Sequence, residues 1–135
     1  MPTNKPLPII DADSKYFWEQ CQKEILMIPY CLDCNQYHFY PRIFCPNCMS
    51  SRIQWKESTG RGKIYSFTIA RRAGGPAFKD DVPYVVAIIE LVEGVRMMSH
   101  IINTDIDNIK CDMAVQVIFE KANEEITLPK FTVVL

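Results

Sequence analysis

Four of the six cysteines in this 135-residue chain fall into two Cys-x-x-Cys pairs, Cys31-Leu32-Asp33-Cys34 and Cys45-Pro46-Asn47-Cys48. A two-residue spacer lets both thiolates of such a knuckle face one ion while backbone N–H groups point at the sulfurs. Two knuckles complete a tetrahedron, and the short segment between Cys34 and Cys45 is enough for a minimal hairpin, so the spacing predicts a zinc ribbon. The competing readings are buried thiols, a redox pair, or four thiolates around a single iron for electron transfer. Zinc is preferred because the rest of the chain carries no cofactor-binding or redox-partner pattern. With all four positions filled by protein, no site remains for water or substrate, and the metal is expected to be structural. Each knuckle also needs a residue tolerant of left-handed backbone after its second cysteine; Asn35 suits this, and Met49 does not.

Other candidates for chemistry are sparse. Cys21 and Cys111 have no partner in sequence and are expected to be small buried hydrophobes. The two histidines, His38 and His100, fall in the ribbon hairpin and in a strand, where satisfied structural roles are expected. No nucleophile elbow, phosphate loop or paired-carboxylate motif is present. The segment Arg71-Arg72-Ala73-Gly74-Gly75-Pro76-Ala77-Phe78-Lys79 combines three cations, two glycines and an aromatic. The plain reading is a solvated loop; beside it, arginines there could grip phosphates while glycine backbone approaches closely, or the segment could form a partner surface.

These residues must be positioned by a small molecule. A chain of this length buries one compact core, with room for one main domain plus a small module. Apolar residues at 48% and charged residues at 23% exclude wholesale disorder. A formal net charge of −1 gives no global attraction to phosphate backbones or anionic membranes, so nucleic acid is disfavoured. No run approaches the roughly 20 apolar residues that cross a bilayer, and Met1 to Pro6 lacks the apolar core of a secretory signal, so a cytoplasmic protein is expected.

The proline-rich first ten residues read as an extended arm. A helix is predicted from Asp11 or Asp13 to about Glu24, with Phe17, Trp18, Cys21 and Ile25 on one apolar face. Two adjacent bulky aromatics are hard to bury on one side of a short helix, which makes Phe17 and Trp18, with Phe78, candidates for a partner interface. Five β-rich runs follow: Lys63–Ile69, Tyr84–Leu91, Val95–Ile102, Ala114–Phe119 and Thr127–Val134. Glu93-Gly94 signals a tight hairpin, whereas 71–83 is too long for a simple turn. The fold class is therefore mainly β: an N-terminal helix, a four-cysteine zinc ribbon, then a five-stranded OB-fold barrel, with a five-stranded sandwich as the alternative. The expected division is 1–24 for arm and helix, 25–57 for the ribbon and 58–135 for the OB-fold domain.

The colinear set Phe17-Trp18-Glu19, the two knuckles with Pro41 between them, Gly60-Arg61-Gly62-Lys63-Ile64-Tyr65-Ser66-Phe67-Thr68, Pro83-Tyr84-Val85-Val86-Ala87, Glu90-Leu91-Val92-Glu93-Gly94, Met113-Ala114-Val115 and Leu128-Pro129-Lys130-Phe131 resembles a known family. Its members pair a rubredoxin-like zinc ribbon with a C-terminal OB fold, were long labelled a domain of unknown function, and are encoded beside thiolases and related acyl-CoA enzymes. Asn35, Met49 and Asp112 depart from the pattern, where the family often has glycine. The resemblance implies a non-catalytic subunit that joins a thiolase-like or hydratase-like enzyme in a hetero-oligomer and helps form the acyl-CoA or pantetheine passage. On that reading Arg71, Arg72 and Lys79 face the phosphates of coenzyme A, and a barrel surface flanked by Ile88, Met97, Met98 and Ile101 offers apolar cover. The alternative function is a single-stranded nucleic-acid-binding OB-fold protein, which would need a cationic groove with spaced aromatics.

Overall fold

A computed structural model describes residues 8–71 and 82–134. Helix α1 runs Lys15–Gln22, starting later than the sequence suggests. Asp11 does not cap it. Its carboxylate instead accepts from the N–H of Ser14 at 2.8 Å and the Ser14 hydroxyl at 2.7 Å, closing the turn that precedes the helix. At the other end Glu24 adopts left-handed backbone (φ 61°) and donates its N–H to the Cys21 carbonyl, so Ile25 leaves the helix and the apolar face shortens to Phe17, Trp18 and Cys21.

The chain then forms a three-stranded antiparallel sheet, with β1 (Met27–Cys31) between β2 (Gln36–Tyr37) and β3 (Ile53–Glu57). Strand β3 has no counterpart among the predicted strands. Its sequence, Ile-Gln-Trp-Lys-Glu, is half polar, and pairing with β1 from Met27↔Glu57 to Cys31↔Ile53 is what makes it extended.

Five strands build the second unit: β4 (Arg61–Ala70), β5 (Tyr84–Leu91), β6 (Arg96–Ile101), β7 (Ala114–Lys121) and β8 (Thr127–Val133). They close into a barrel of order β4-β5-β6-β8-β7, with β4 and β7 joined antiparallel through Arg61↔Gln116 to Lys63↔Ala114. Alternation on β5 sends Val85, Ala87, Ile89 and Leu91 inward, as a half-buried strand requires. Closure depends on two glycines. A Cβ on Gly60, whose φ is +75°, would stand 2.3 Å from Val117 Cγ1, and one on Gly62 would stand 2.6 Å from the backbone oxygen of Glu90.

Phe17, Trp18 and Cys21 pack in one buried cluster with Leu26 and Ile28 of the ribbon side and with Ile64, Val85, Ile89 and Phe131 of the barrel. The helix is thus the wedge between the two β units. A second tie lies at their junction, where the Glu93 carboxylate in the β5–β6 hairpin accepts from the Ser58 hydroxyl at 2.8 Å and the Thr59 N–H at 3.1 Å.

Candidate metal centre and apolar groove

The knuckles occupy the turns that follow β1 and precede β3. In each, the N–H after the second cysteine returns to the carbonyl of the first: Asn35 to Cys31 at 2.9 Å and Met49 to Cys45 at 2.8 Å. Both closing residues are left-handed, with φ of 58° at Asn35 and 65° at Met49, the geometry the spacing demanded.

These turns bring Cys31, Cys34, Cys45 and Cys48 together with all four Sγ atoms within 4.8 Å of one another. Cys31 and Cys48 lie 3.5 Å apart and Cys34 and Cys45 3.6 Å. A tetrahedron with Zn–S bonds of about 2.3 Å has edges of about 3.8 Å, so the set fits one zinc ion and stands too wide for disulfides. The donor chemistry agrees. Backbone N–H groups of Cys34 and Asp33 pull Cys31 down to about 6. At Cys45 burial acts upward, but the N–H groups of Cys48 and Asn47 outweigh it and the thiol is lowered. Burial and the adjacent sulfurs raise Cys34. Cys48, although the Ser50 N–H lowers it, is pushed up to about 12 by the neighbouring sulfurs and desolvation. Four crowded thiolates repel, and a divalent ion at their centre removes that repulsion.

The remaining cysteines divide. Cys21 is fully buried, and burial pushes its thiol up to about 12; Cys111 is exposed, contrary to expectation, because it sits in the turn ahead of β7. His38 is buried, as a structural histidine is expected to be, and burial, opposed by a hydrogen bond to the Arg42 backbone, holds its pKa below the ordinary value.

On the barrel, β6 and β8 run parallel and share the registered pair Ile101↔Phe131. Beyond it they diverge, bridged by the Ser99 hydroxyl donating to the Pro129 carbonyl at 2.8 Å. The divergence opens a groove of about 520 Å³ between β6, β8, α1 and the 39–40 segment, walled by Trp18, Phe39, Met97, Met98 and Leu128. Tyr40 accepts from the Trp18 indole N–H at 3.1 Å on its wall. Among the described residues none of those lining it is acidic; Arg96 and Lys130 stand there instead, paired with Glu90 and Glu120. Of the apolar residues anticipated on the barrel, Met97 and Met98 line the groove; Ile88 and Ile101 do not. Sequence reasoning missed Phe39, Tyr40 and Leu128, for which no local spacing gives a signal.

Phe17 and Trp18, candidates for a partner surface because two adjacent aromatics are hard to bury on a short helix, are 1% and 5% exposed in the chain's own core, which corrects that expectation. The rings pack edge to face at 4.9 Å, Phe17 also meets Phe39, and the Trp18 indole N–H is taken by Tyr40. Arg71 is exposed at the end of β4, while Arg72, Phe78 and Lys79 lie outside the described residues. Among the described residues no helix is long and apolar enough to cross a membrane.

A zinc ribbon wedged by a helix onto an OB barrel defines the class of this protein. Residues 18–54 match the family model of the ChsH2 rubredoxin-like zinc ribbon domain, and residues 55–120 match that of the ChsH2 C-terminal OB-fold domain. The chain is 34% identical over 127 residues to the "Probable enoyl-CoA hydratase alpha subunit" of Thermomonospora curvata, covering 94% of this chain and 39% of that protein. It is 38% identical over 96 residues to a DUF35 domain-containing scaffold protein of Methanothermobacter thermautotrophicus, covering 70% and 71% of the two. A solved structure described as an Ltp2-ChsH2(DUF35) aldolase superposes with a TM-score of 0.83 at 33% identity, over 94% of this chain and 98% of that one. The chain belongs to this ChsH2/DUF35 family of ribbon-plus-OB proteins. It spans about two fifths of the length of the hydratase subunit it matches.

Proposed function

We propose that the chain is a non-catalytic, zinc-bearing accessory subunit of a thiolase-like or hydratase-like acyl-CoA enzyme complex, divided into arm and helix (1–24), ribbon (25–57) and OB-fold domain (58–135). Cys31, Cys34, Cys45 and Cys48 hold the zinc, which stiffens the ribbon and takes no part in chemistry. The partner supplies the reacting groups. The observation that carries the reading is the apolar groove where β6 and β8 diverge. Its volume suits an extended ligand segment, its walls suit an acyl chain or pantetheine arm, and the absence of carboxylates among its described lining residues suits an anionic carrier. Arg71, Arg72 and Lys79 are proposed to meet the coenzyme A phosphates. Relatives named as hydratase subunit, scaffold protein and aldolase support a place in such a complex.

The test is co-expression with a candidate thiolase-like or hydratase-like subunit, sizing with mass determination, and titration of the assembled complex with acyl-CoA. Met98, at 68% exposure, is an accessible wall residue. Met98→Asp is expected to weaken acyl-CoA binding at least tenfold while leaving assembly and zinc content unchanged. Charge reversal at Arg71, Arg72 and Lys79 together is expected to do the same. If the chain neither assembles nor binds acyl-CoA, and instead shifts a labelled single-stranded oligonucleotide with steep salt dependence, the nucleic-acid alternative replaces this reading.

A further inference from the structure

The two knuckles place their cysteines alike, so that Cys31 to Gln36 aligns with Cys45 to Ser50, although only the cysteines are shared. The fifth residue of each, Asn35 and Met49, is left-handed and closes the turn on the first cysteine. The third residue of each then reaches the sixth of the other. The Asp33 carboxylate accepts from the Ser50 hydroxyl, and it also receives Nη1 of Arg52. The Asn47 side-chain amide donates to Gln36 Oε1 at 3.2 Å. Each cross-tie joins the loop of one knuckle to the segment leaving the other, so the pair is reciprocal about the centre of the four sulfurs.

We propose that Asp33 and Asn47 are positioning residues for the metal centre: by tying each knuckle to the other they hold the sulfurs at the separation the ion needs, and so set how tightly zinc is kept and how slowly it leaves. Neither touches the metal. Exposed contacts of this kind contribute little to global stability, so the effect belongs in metal retention, where groups beyond the ligands commonly change affinity about tenfold or more. The inference rests on the zinc assignment. The two fail separately: a wild-type chain that takes up no zinc sinks the assignment, whereas a wild-type chain that binds zinc no better than the variants sinks the ties.

The full chain, loaded with zinc, would be titrated with a competing chelator and chased with excess chelator to read affinity and release rate. Asp33→Ala and Asn47→Ala are each expected to weaken zinc binding about tenfold and to speed release. The cobalt-loaded variants are expected to keep the thiolate charge-transfer band, because all four ligands remain. Asp33→Asn, which still accepts from Ser50, is expected to stay within about threefold of wild type. Ser50→Ala and Gln36→Ala break the same ties from the far end and are expected to reproduce the losses, whether or not the first two variants fold well. Affinities within twofold of wild type for both alanine variants overturn the proposal. So does an Asp33→Asn loss equal to that of Asp33→Ala, which would assign the effect to charge.

Discussion

Among the non-glycine residues at left-handed backbone, Asn35, Met49 and Asp112 have φ of 58°, 65° and 68°. Asparagine bears that conformation cheaply, whereas a side chain such as methionine carries a penalty of about 1 kcal/mol. Met49 is 72% exposed and Asp112 makes only an exposed, 3.7 Å contact with Lys63, so neither side chain offsets the strain by burial. Asp112→Gly is therefore expected to raise stability by about 0.5–1 kcal/mol, read as a melting temperature a few degrees higher. The converse holds at Gly60, where left-handed backbone and a 2.3 Å approach to Val117 leave no room for a methyl group. Gly60→Ala is expected to destabilise the barrel by about 3 kcal/mol in denaturant titrations.

At the scale of elements, the β5–β6 hairpin does more than reverse the chain. Gly94, at φ 95°, lets its N–H return to the Leu91 carbonyl at 2.8 Å, and this fixes the preceding Glu93 over the ribbon–barrel junction. There its two oxygens take separate donors, Ser58 and Thr59, while the Ser58 hydroxyl also accepts from the Gly60 N–H at 3.0 Å. Hydrogen bonds to a carboxylate contribute about 1.5–3 kcal/mol each when the partner would otherwise be left unpaired. Glu93→Ala is expected to cost about 2 kcal/mol and to accelerate amide exchange at 58–60, with the zinc content unchanged. Unaltered exchange there would show that the junction is held by α1 alone.

For the whole molecule, the ribbon sheet and the barrel draw on different sources of stability. The barrel has a closed strand order and a continuous apolar interior, whereas the ribbon is three short strands around a metal centre. Chelation of zinc is expected to release amide protection across 27–57 while 84–91 and 127–133 stay protected. Acid should do the same by competition, since protons and zinc contend for the same sulfurs. Zinc release followed with a colorimetric chelator should therefore increase monotonically on acidification, and a release that increased with pH would contradict the four-thiolate centre.

The spacing of Cys31, Cys34, Cys45 and Cys48 and the left-handed positions after each knuckle were legible in the sequence, because each is local geometry repeated at short range. So was the order helix, ribbon, five-stranded barrel, which follows from runs of strand-forming residues and their turns. The burial of both Phe17 and Trp18, the exposure of Cys111, the pairing that makes β3 a strand, the Glu93 tie and the groove between β6 and β8 were decided only in three dimensions. Each depends on residues more than 20 positions apart, or on which surface remains once the barrel has closed. A local pattern specifies where a side chain points along its own strand or helix; what it meets there is set by elements elsewhere in the chain.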